Sequence, residues 1–394
     1  MKKEWAYYQL GDICDVLNGL WTGKQEPFVN VAVIRNTNFS KDCRLKLDDV
    51  AFIDVEAKQF AKRKLQLGDI IIEKSGGSDK QPVGRAVLFD ISDGDYSFSN
   101  FTSALRIKDK GKFSPTFVHR CLYGHYLKGE TLRMQSKTTG LHNLDMKAFL
   151  RLPIPNLPLE EQEHIVAELD LLHGIIDKQK TQLKELDTLA QSIFYDMFGN
   201  PVENERGWEV STLNDVCSNI TDGSHNPPKG GCKSGFMMLS SKNIFDGYYT
   251  IEEPRYLSKE EFVKENNRTS LKCGDILLTI VGTIGRCCVF DGANQVALQR
   301  SVAVLKPKKS LVSIFLMKQL QASRAVLENE AKGVAQKGIY LNQLKRLNVI
   351  LPPTSLQQSF AEKIAAIEQQ KDTINRSIEE SQKLFDYTMD KYFG

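Results

Sequence analysis

The nearest approach to a catalytic motif in this chain is Ser-His-Asn-Pro-Pro-Lys-Gly-Gly at 224–231. Amino-methyltransferases that flip an adenine use an Asn-Pro-Pro-aromatic loop, whose ring stacks on the extruded base. Here Lys229 stands where the ring belongs, and no Gly-rich cofactor-binding turn lies upstream. A rigid loop presenting Asn226 and Lys229 to a backbone or a base edge fits these residues better than methyl transfer. No Walker A motif, no strand-linked GxGxxG and no HExxH occurs. The eight cysteines form no CxxC pair, and no ligand pair has zinc spacing.

The remaining polar groups suit nucleic acid better than bond-making. Glu-Lys-Ser-Gly-Gly-Ser-Asp-Lys-Gln-Pro-Val-Gly-Arg at 73–85 is a basic, Gly-rich loop whose Lys74, Lys80 and Arg85 could hold phosphate. Its counterpart at 279–286 carries Thr279, Thr283 and Arg286. Arg35, Asn36 and Asn38 cluster in one short stretch; Lys242 with Asn243, and Gln299 with Arg300, form two more. Arginine pairs well with guanine, and asparagine or glutamine with adenine. The same side chains are also common in satisfied turns and surface hairpins, and both readings stay open.

These groups sit on a chain that is written twice. Trp5 opens "WAYYQLGDICDVL" and Trp208 opens "WEVSTLNDVCSNI". "LQLGDIII" matches "LKCGDILL", "VGRAVLF" at 83–89 matches "IGRCCVF" at 284–290, and "LPIPNLP" at 152–158 falls opposite "VILPPTS" at 349–355. "SIFYDMFGN", ending at Asn200, is echoed by the closing "DYTMDKYFG". A unit of roughly 200 residues has been duplicated. Its first part is dense in turns, short strands and a few helical stretches, which predicts a mixed α/β domain.

Its second part is a long helix. After Pro153, Pro155 and Pro158, Ile165, Leu169, Leu172, Ile176, Gln179, Leu183, Leu186, Ala190, Ile193 and Met197 recur in alternating steps of four and three. After Pro352 and Pro353 the same rhythm runs through Phe360, Ile364, Ile367, Ile374, Ile378 and Phe385, weakened by Lys371, Ser381 and Thr388. That is a coiled-coil seam, and the obvious partner for each helix is the other. A Leu/Ile stripe also suits a helix lying on its own domain's core; the strict spacing, length and flanking prolines favour a protruding pair.

Composition bounds the reading. The chain has 394 residues and a net charge of +3. Residues 1–155 carry 24 Lys and Arg against 18 Asp and Glu, and residues 201–352 carry 20 against 15. Residues 156–200 carry 3 against 9, and residues 353–394 carry 5 against 7. Two basic lobes and two acidic helices are hidden in a near-neutral total; phosphates attract the first and repel the second. No apolar run approaches membrane-spanning length, the start lacks the apolar stretch of a signal peptide, and scattered thiols point to the cytoplasm.

The order of these motifs, repeated twice, resembles the specificity subunit of a type I restriction–modification system. The resemblance implies an α+β fold with two tandem mixed α/β target-recognition domains, residues 1–155 and 201–352. Two long helices, 156–200 and 353–394, would separate them by pairing as an antiparallel coiled coil with pseudo-twofold symmetry. It implies a non-catalytic chain that reads a bipartite double-stranded DNA target. The helices would dock two methyltransferase subunits, and motor–nuclease subunits would join through these. S-adenosylmethionine, ATP and magnesium would belong to the partners, with no cofactor or metal in this chain. At the second junction Gln357 and Gln358 stand roughly where Glu161 and Gln162 do, so the two dockings need not be equal. A helix of about 35 residues spans about 50 Å, or about 15 base pairs. The lobes differ strongly between the repeats, so the half-sites should differ. A coiled-coil scaffold that gathers intracellular protein partners is the competing reading.

Overall fold

The computed structural model describes residues 5–78, 81–138, 141–331 and 338–394. The chain forms two compact units, Met1–Lys178 with Ser377–Gly394, and Gln179–Arg376. The first unit runs β1 (Tyr7–Gln9), α1 (Leu10–Ile13), β2 (Cys14–Asn18), β3 (Phe28–Ile34), β4 (Ala51–Glu56), α2 (Ala57–Arg63), β5 (Ile70–Glu73), β6 (Ser75–Gly77), β7 (Ala86–Leu88), β8 (Tyr96–Phe98), β9 (Thr102–Ile107), α3 (Pro115–Leu127), β10 (Gln135–Thr138), β11 (Leu141–Leu144), α4 (Met146–Phe149) and β12 (Pro153–Pro155) into α5 (Leu159–Phe198). The repeat follows: β13 (Glu209–Thr212), α6 (Leu213–Val216), β14 (Cys217–Asp222), β15 (Phe236–Leu239), β16 (Arg255–Leu257), α7 (Lys259–Thr269), β17 (Ile276–Thr279), β18 (Cys287–Val289), β19 (Val296–Leu298), β20 (Val302–Pro307), α8 (Ser313–Ala322), α9 (Arg324–Glu330), α10 (Leu341–Lys345), β21 (Asn348–Leu351) and α11 (Thr354–Phe393).

Three sheets recur in both units, and the first unit adds a further one, β10-β11-β6. Each has a four-stranded sheet, β2-β9-β5-β7 or β14-β20-β17-β18, and a three-stranded one, β4-β3-β8 or β16-β15-β19. Each also pairs its first strand with its last, β1 with β12 and β13 with β21. The wholly apolar runs after Gly-Asp follow from this layering. In β5, Ile70 and Ile72 face the core built with α3 and α5, while Ile71 faces the core under the three-stranded sheet. In β17, Ile276 and Leu278 face one core and Leu277 the other. A strand covered on both faces has no polar side to alternate with.

The Gly-Asp pair itself builds the turn that launches this strand. Gly68 and Gly274 sit at φ +91° and +88°, a region that favours glycine. Asp69 accepts the amide of Gln66 and pairs bidentately with Arg106 at 2.9 and 2.7 Å. Asp275 accepts the amide of Lys272 and is joined by Lys306.

The two long helices run 40 residues each, about 60 Å and longer than the 35 residues expected from the sequence. Within the first unit Glu168 accepts the Tyr392 hydroxyl at 2.6 Å, and the His173 ring lies 5.5 Å from that of Phe385. The start of α5 therefore runs antiparallel to the end of α11. Within the second unit Asp187 pairs with Lys371 at 2.8 Å, and Phe194 packs on Phe360 at 5.7 Å. Ile165, Leu169, Leu172 and Ile176 are buried with Phe385 and also with Phe117 and Leu122 of α3. Phe360, Ile364 and Ile367 are buried with Phe194 and with Phe315 of α8. The helices thus pair with each other and lie on a lobe at once. Leu183, Leu186, Ile193, Ile374 and Ile378 are half-buried.

A buried glutamine fixes the start of each long helix. Gln162 accepts the Ser114 amide at 2.9 Å and donates to Leu157 O and Lys112 O, both at 2.8 Å. Gln357 accepts the Val312 amide at 2.9 Å and donates to Pro352 O at 2.8 Å. Gln357 is therefore the counterpart of Gln162, and Leu356 stands opposite Glu161. The junction keeps its lock, one residue earlier than the sequence spacing suggested.

Candidate nucleic-acid interface

In the first unit the turn after β3 gathers Arg35, Asn36 and Asn38. Asn38 is 2% exposed. Its Oδ1 accepts the Arg35 amide at 2.9 Å, and its Nδ2 donates to Asp49 O at 2.9 Å. Arg35 faces Asp49 at 3.6 Å. Asn36 donates weakly to Glu73 and to Ser75 O, at 3.4 and 3.3 Å. Arg85 is only 4% exposed and grips Glu73 bidentately at 2.8 and 3.0 Å, with Nη1 on Phe39 O at 2.8 Å. Burial pulls its pKa down, but the hydrogen bonds and charge of Glu73 outweigh this and hold it above its ordinary value. Lys74 is half-buried, and burial lowers its pKa. Lys80 lies outside the described residues. Asn36, Gln81 and the exposed Lys41 and Lys46 line a cleft of about 440 Å³, with the Glu73–Arg85 pair also on its wall.

The second unit repeats the turn with other chemistry. Asn243, also 2% exposed, accepts the Ser240 amide at 3.1 Å and donates to Glu252 O at 3.0 Å. Asn38 and Asn243 spend their amides on the backbone, so neither presents the base-reading face expected of it. Arg85 is likewise turned inward, to a carboxylate rather than to a phosphate. Thr279 replaces Glu73 opposite Arg286, and its hydroxyl accepts the Arg286 amide at 3.0 Å. With Thr279 in place of that carboxylate, the Arg286 guanidinium lies 5.2 Å over the Phe245 ring and is half-exposed. Lys242 donates to Glu253 O at 3.0 Å. Asn226, Lys229, Thr283 and Arg300 are exposed, and Gln299 is half-buried.

Residues 2–188 and 205–381 each match the family described as type I restriction modification DNA specificity domain. The chain belongs to this family. It is 22% identical over 387 residues to the putative type I restriction enzyme MjaX specificity subunit of Methanocaldococcus jannaschii, covering 93% of this chain and 87% of that one. It is 23% identical to the type I restriction enzyme EcoKI specificity subunit of Escherichia coli K12, covering 95% and 84%. A chain solved in work on complex assembly and conformational transition of the type I R-M system shares the fold at TM-score 0.61, with 19% identity and 99% and 97% coverage. The type I S subunit of M. genitalium does so at 0.54, with 13% identity and 99% and 96% coverage.

In this specificity-subunit fold, the side chains that differ between matching positions of the two lobes are the informative ones. Sequence spacing singled out Arg300 but missed Arg268, whose Nε donates to Asp222 O at 2.9 Å, and His225, which meets Asp222 at 2.8 Å. It also missed Lys41 and Lys46. The signal for Arg268 was its counterpart Arg63, the last residue of α2, which donates to Asn18 O at 3.1 Å. Among the described residues, no group of three His, Cys, Asp or Glu is placed to hold a metal, and no helix is long and apolar enough to cross a membrane.

Proposed function

We propose that this chain is the non-catalytic DNA reader of a type I restriction–modification complex, working in the cytoplasm. Each lobe, residues 1–155 and 201–352, reads one half of a bipartite target in double-stranded DNA. The helices at 156–200 and 353–394 dock two methyltransferase subunits, through which motor–nuclease subunits join. Arg35, Asn36, Lys74 and Lys80 in the first lobe, and Asn226, Lys229, Lys242, Thr283, Arg286, Gln299 and Arg300 in the second, carry the contacts to DNA. One observation supports this reading most: on a common scaffold the second lobe leaves Arg286 half-exposed over Phe245, where the first lobe buries Arg85 on Glu73. Different edges on one scaffold are what two unlike half-sites require.

The helices set the unread gap. One heptad inserted into each adds about 10 Å, or about three base pairs. Sequencing of methylated adenines in cells carrying the lengthened chain should show the gap grow by that amount; an unchanged gap would rule the ruler out.

A further inference from the structure

The second unit holds a pocket of about 580 Å³ lined by the ionisable Asp222, His225, Arg268 and Arg300 and by the aliphatic Ile280, Val281, Ile339 and Leu341. Asp222, at the end of β14, is buried. Its carboxylate takes Arg268 Nη2 at 2.5 Å and His225 Nε2 at 2.8 Å. One interior carboxylate thereby orders two nitrogenous side chains that are themselves largely in solvent. Arg300 follows β19 and is fixed by its own backbone, its amide donating to Ser224 O at 2.9 Å. Its exposed guanidinium has no carboxylate or carbonyl partner among the described residues. Two guanidiniums against one carboxylate leave the rim with surplus positive charge. Asn342 and Gln343 also line the pocket, the Gln343 amide being spent on Tyr340 N and Glu330 O, and Tyr340 is 62% exposed.

An anion-binding rim in a pocket with aliphatic lining matches a ligand with the same division. Guanidinium forks suit phosphate oxygens, and the aliphatic lining suits a deoxyribose. Among the described residues, the first unit has no equivalent. Asn100 stands at the position of Arg300, Lys74 at that of Ile280, and the capping carboxylate Asp145 at that of Tyr340. There Arg63 is satisfied by Asn18 O and by Gln59 at 2.6 Å.

We infer that this pocket seats one deoxyribose–phosphate unit of a DNA strand, with the phosphate on Arg300 and Arg268 and the sugar against Val281 and Ile339. The inference rests on the DNA-reading function proposed above. It makes the second lobe's grip on the backbone stronger than the first lobe's at this place.

The test uses the full chain co-purified with its methyltransferase subunit and a mixed-sequence duplex. Arg300→Ala should make the salt dependence of binding shallower by about one unit of log–log slope, and Arg300→Lys should restore it. Hydroxyl-radical footprints on duplex carrying the methylated sequence should lose protection at one nucleotide in one half-site. An unchanged slope and footprint in Arg300→Ala, with the wild type binding normally, overturns this site alone. A wild-type complex with no affinity for DNA overturns it together with the DNA-reading function. Free deoxynucleoside monophosphates, titrated by calorimetry, separate the two sources of this chemistry. If they saturate the wild type but not Arg300→Ala, and duplex affinity is the same in both, the ligand is a mononucleotide and the strand assignment falls.

Discussion

The two places where a lobe meets the long helices are filled differently. In the first unit Phe385, 3% exposed, closes the joint, edge-on to His173 at 5.5 Å and tilted on Tyr123 at 6.3 Å. Counting back from the shared Phe-Gly ends, Ala190 is its counterpart in the second unit. On the same helix, Asp187 and Gln191 line a polar cavity of about 350 Å³ with Lys318, Glu368 and Lys371. Lys371 in turn takes the seam position that Ile176 fills in the first unit, pairing with Asp187 and Glu368 at 2.8 and 3.1 Å. The second unit recovers its apolar packing one step outward, where Phe194, Phe198, Phe315 and Phe360 form a closed group with centroids 4.7–5.9 Å apart. The lesson is that the helix ends and the buried glutamines define the joint. The layer next to them can be aromatic or ionic without changing the backbone that carries it.

That contrast can be broken at Phe385. Phe385→Ala would give the first unit the small residue that the second already has, without the ion pairs that accompany it there. Emptying a fully buried aromatic site costs about 3–5 kcal/mol, and denaturant unfolding of the full chain should show a loss of this size. A loss below about 1 kcal/mol would mean the ring does not hold the joint.

Lys371 sharpens the contrast with a smaller effect. Burial lowers its pKa, but its hydrogen bond to Asp187 and the charge of Glu368 outweigh this and raise it above 10.5. A raised lysine contributes stability that is complete below 10.5 and disappears as pH climbs through the folded-state value. Lys371→Leu should therefore cost up to about 1 kcal/mol at neutral pH, since such pairs are partly screened by solvent. The difference from wild type should close in strongly alkaline buffer. A difference that persists there would assign the effect to packing rather than charge.

Much of this was legible from residues alone. The duplication, the Gly-Asp turns and the apolar strands after them follow from local chemistry repeated at fixed distance. Ile165, Leu169, Leu172 and Ile176, and then Phe360, Ile364 and Ile367, are buried as their spacing required. The spacing did not reveal that α3 and α8 share those same faces, because a heptad stripe records that a face is covered and not by how many neighbours. Phe194 and Phe198 escaped notice for a similar reason. They lie one step beyond Ile193 and Met197, on the face that α8 covers. Polar positions were harder to read. Arg85 looks like a phosphate ligand until Ile72 is paired with Ala86; the next step of that register sets Glu73 opposite Arg85. Asn38 and Asn243 carry the right amides for adenine, and only the capped turns around them show where those amides are spent.

We propose that each lobe carries its own half of the target. Replacing residues 1–155 with a second copy of residues 201–352, in cells that supply the methyltransferase subunit, tests it most directly by single-molecule sequencing of methylated adenines. The expected result is a palindrome-like target whose two halves are both the one read by the second lobe. A methylated sequence identical to that of the unaltered chain would contradict it.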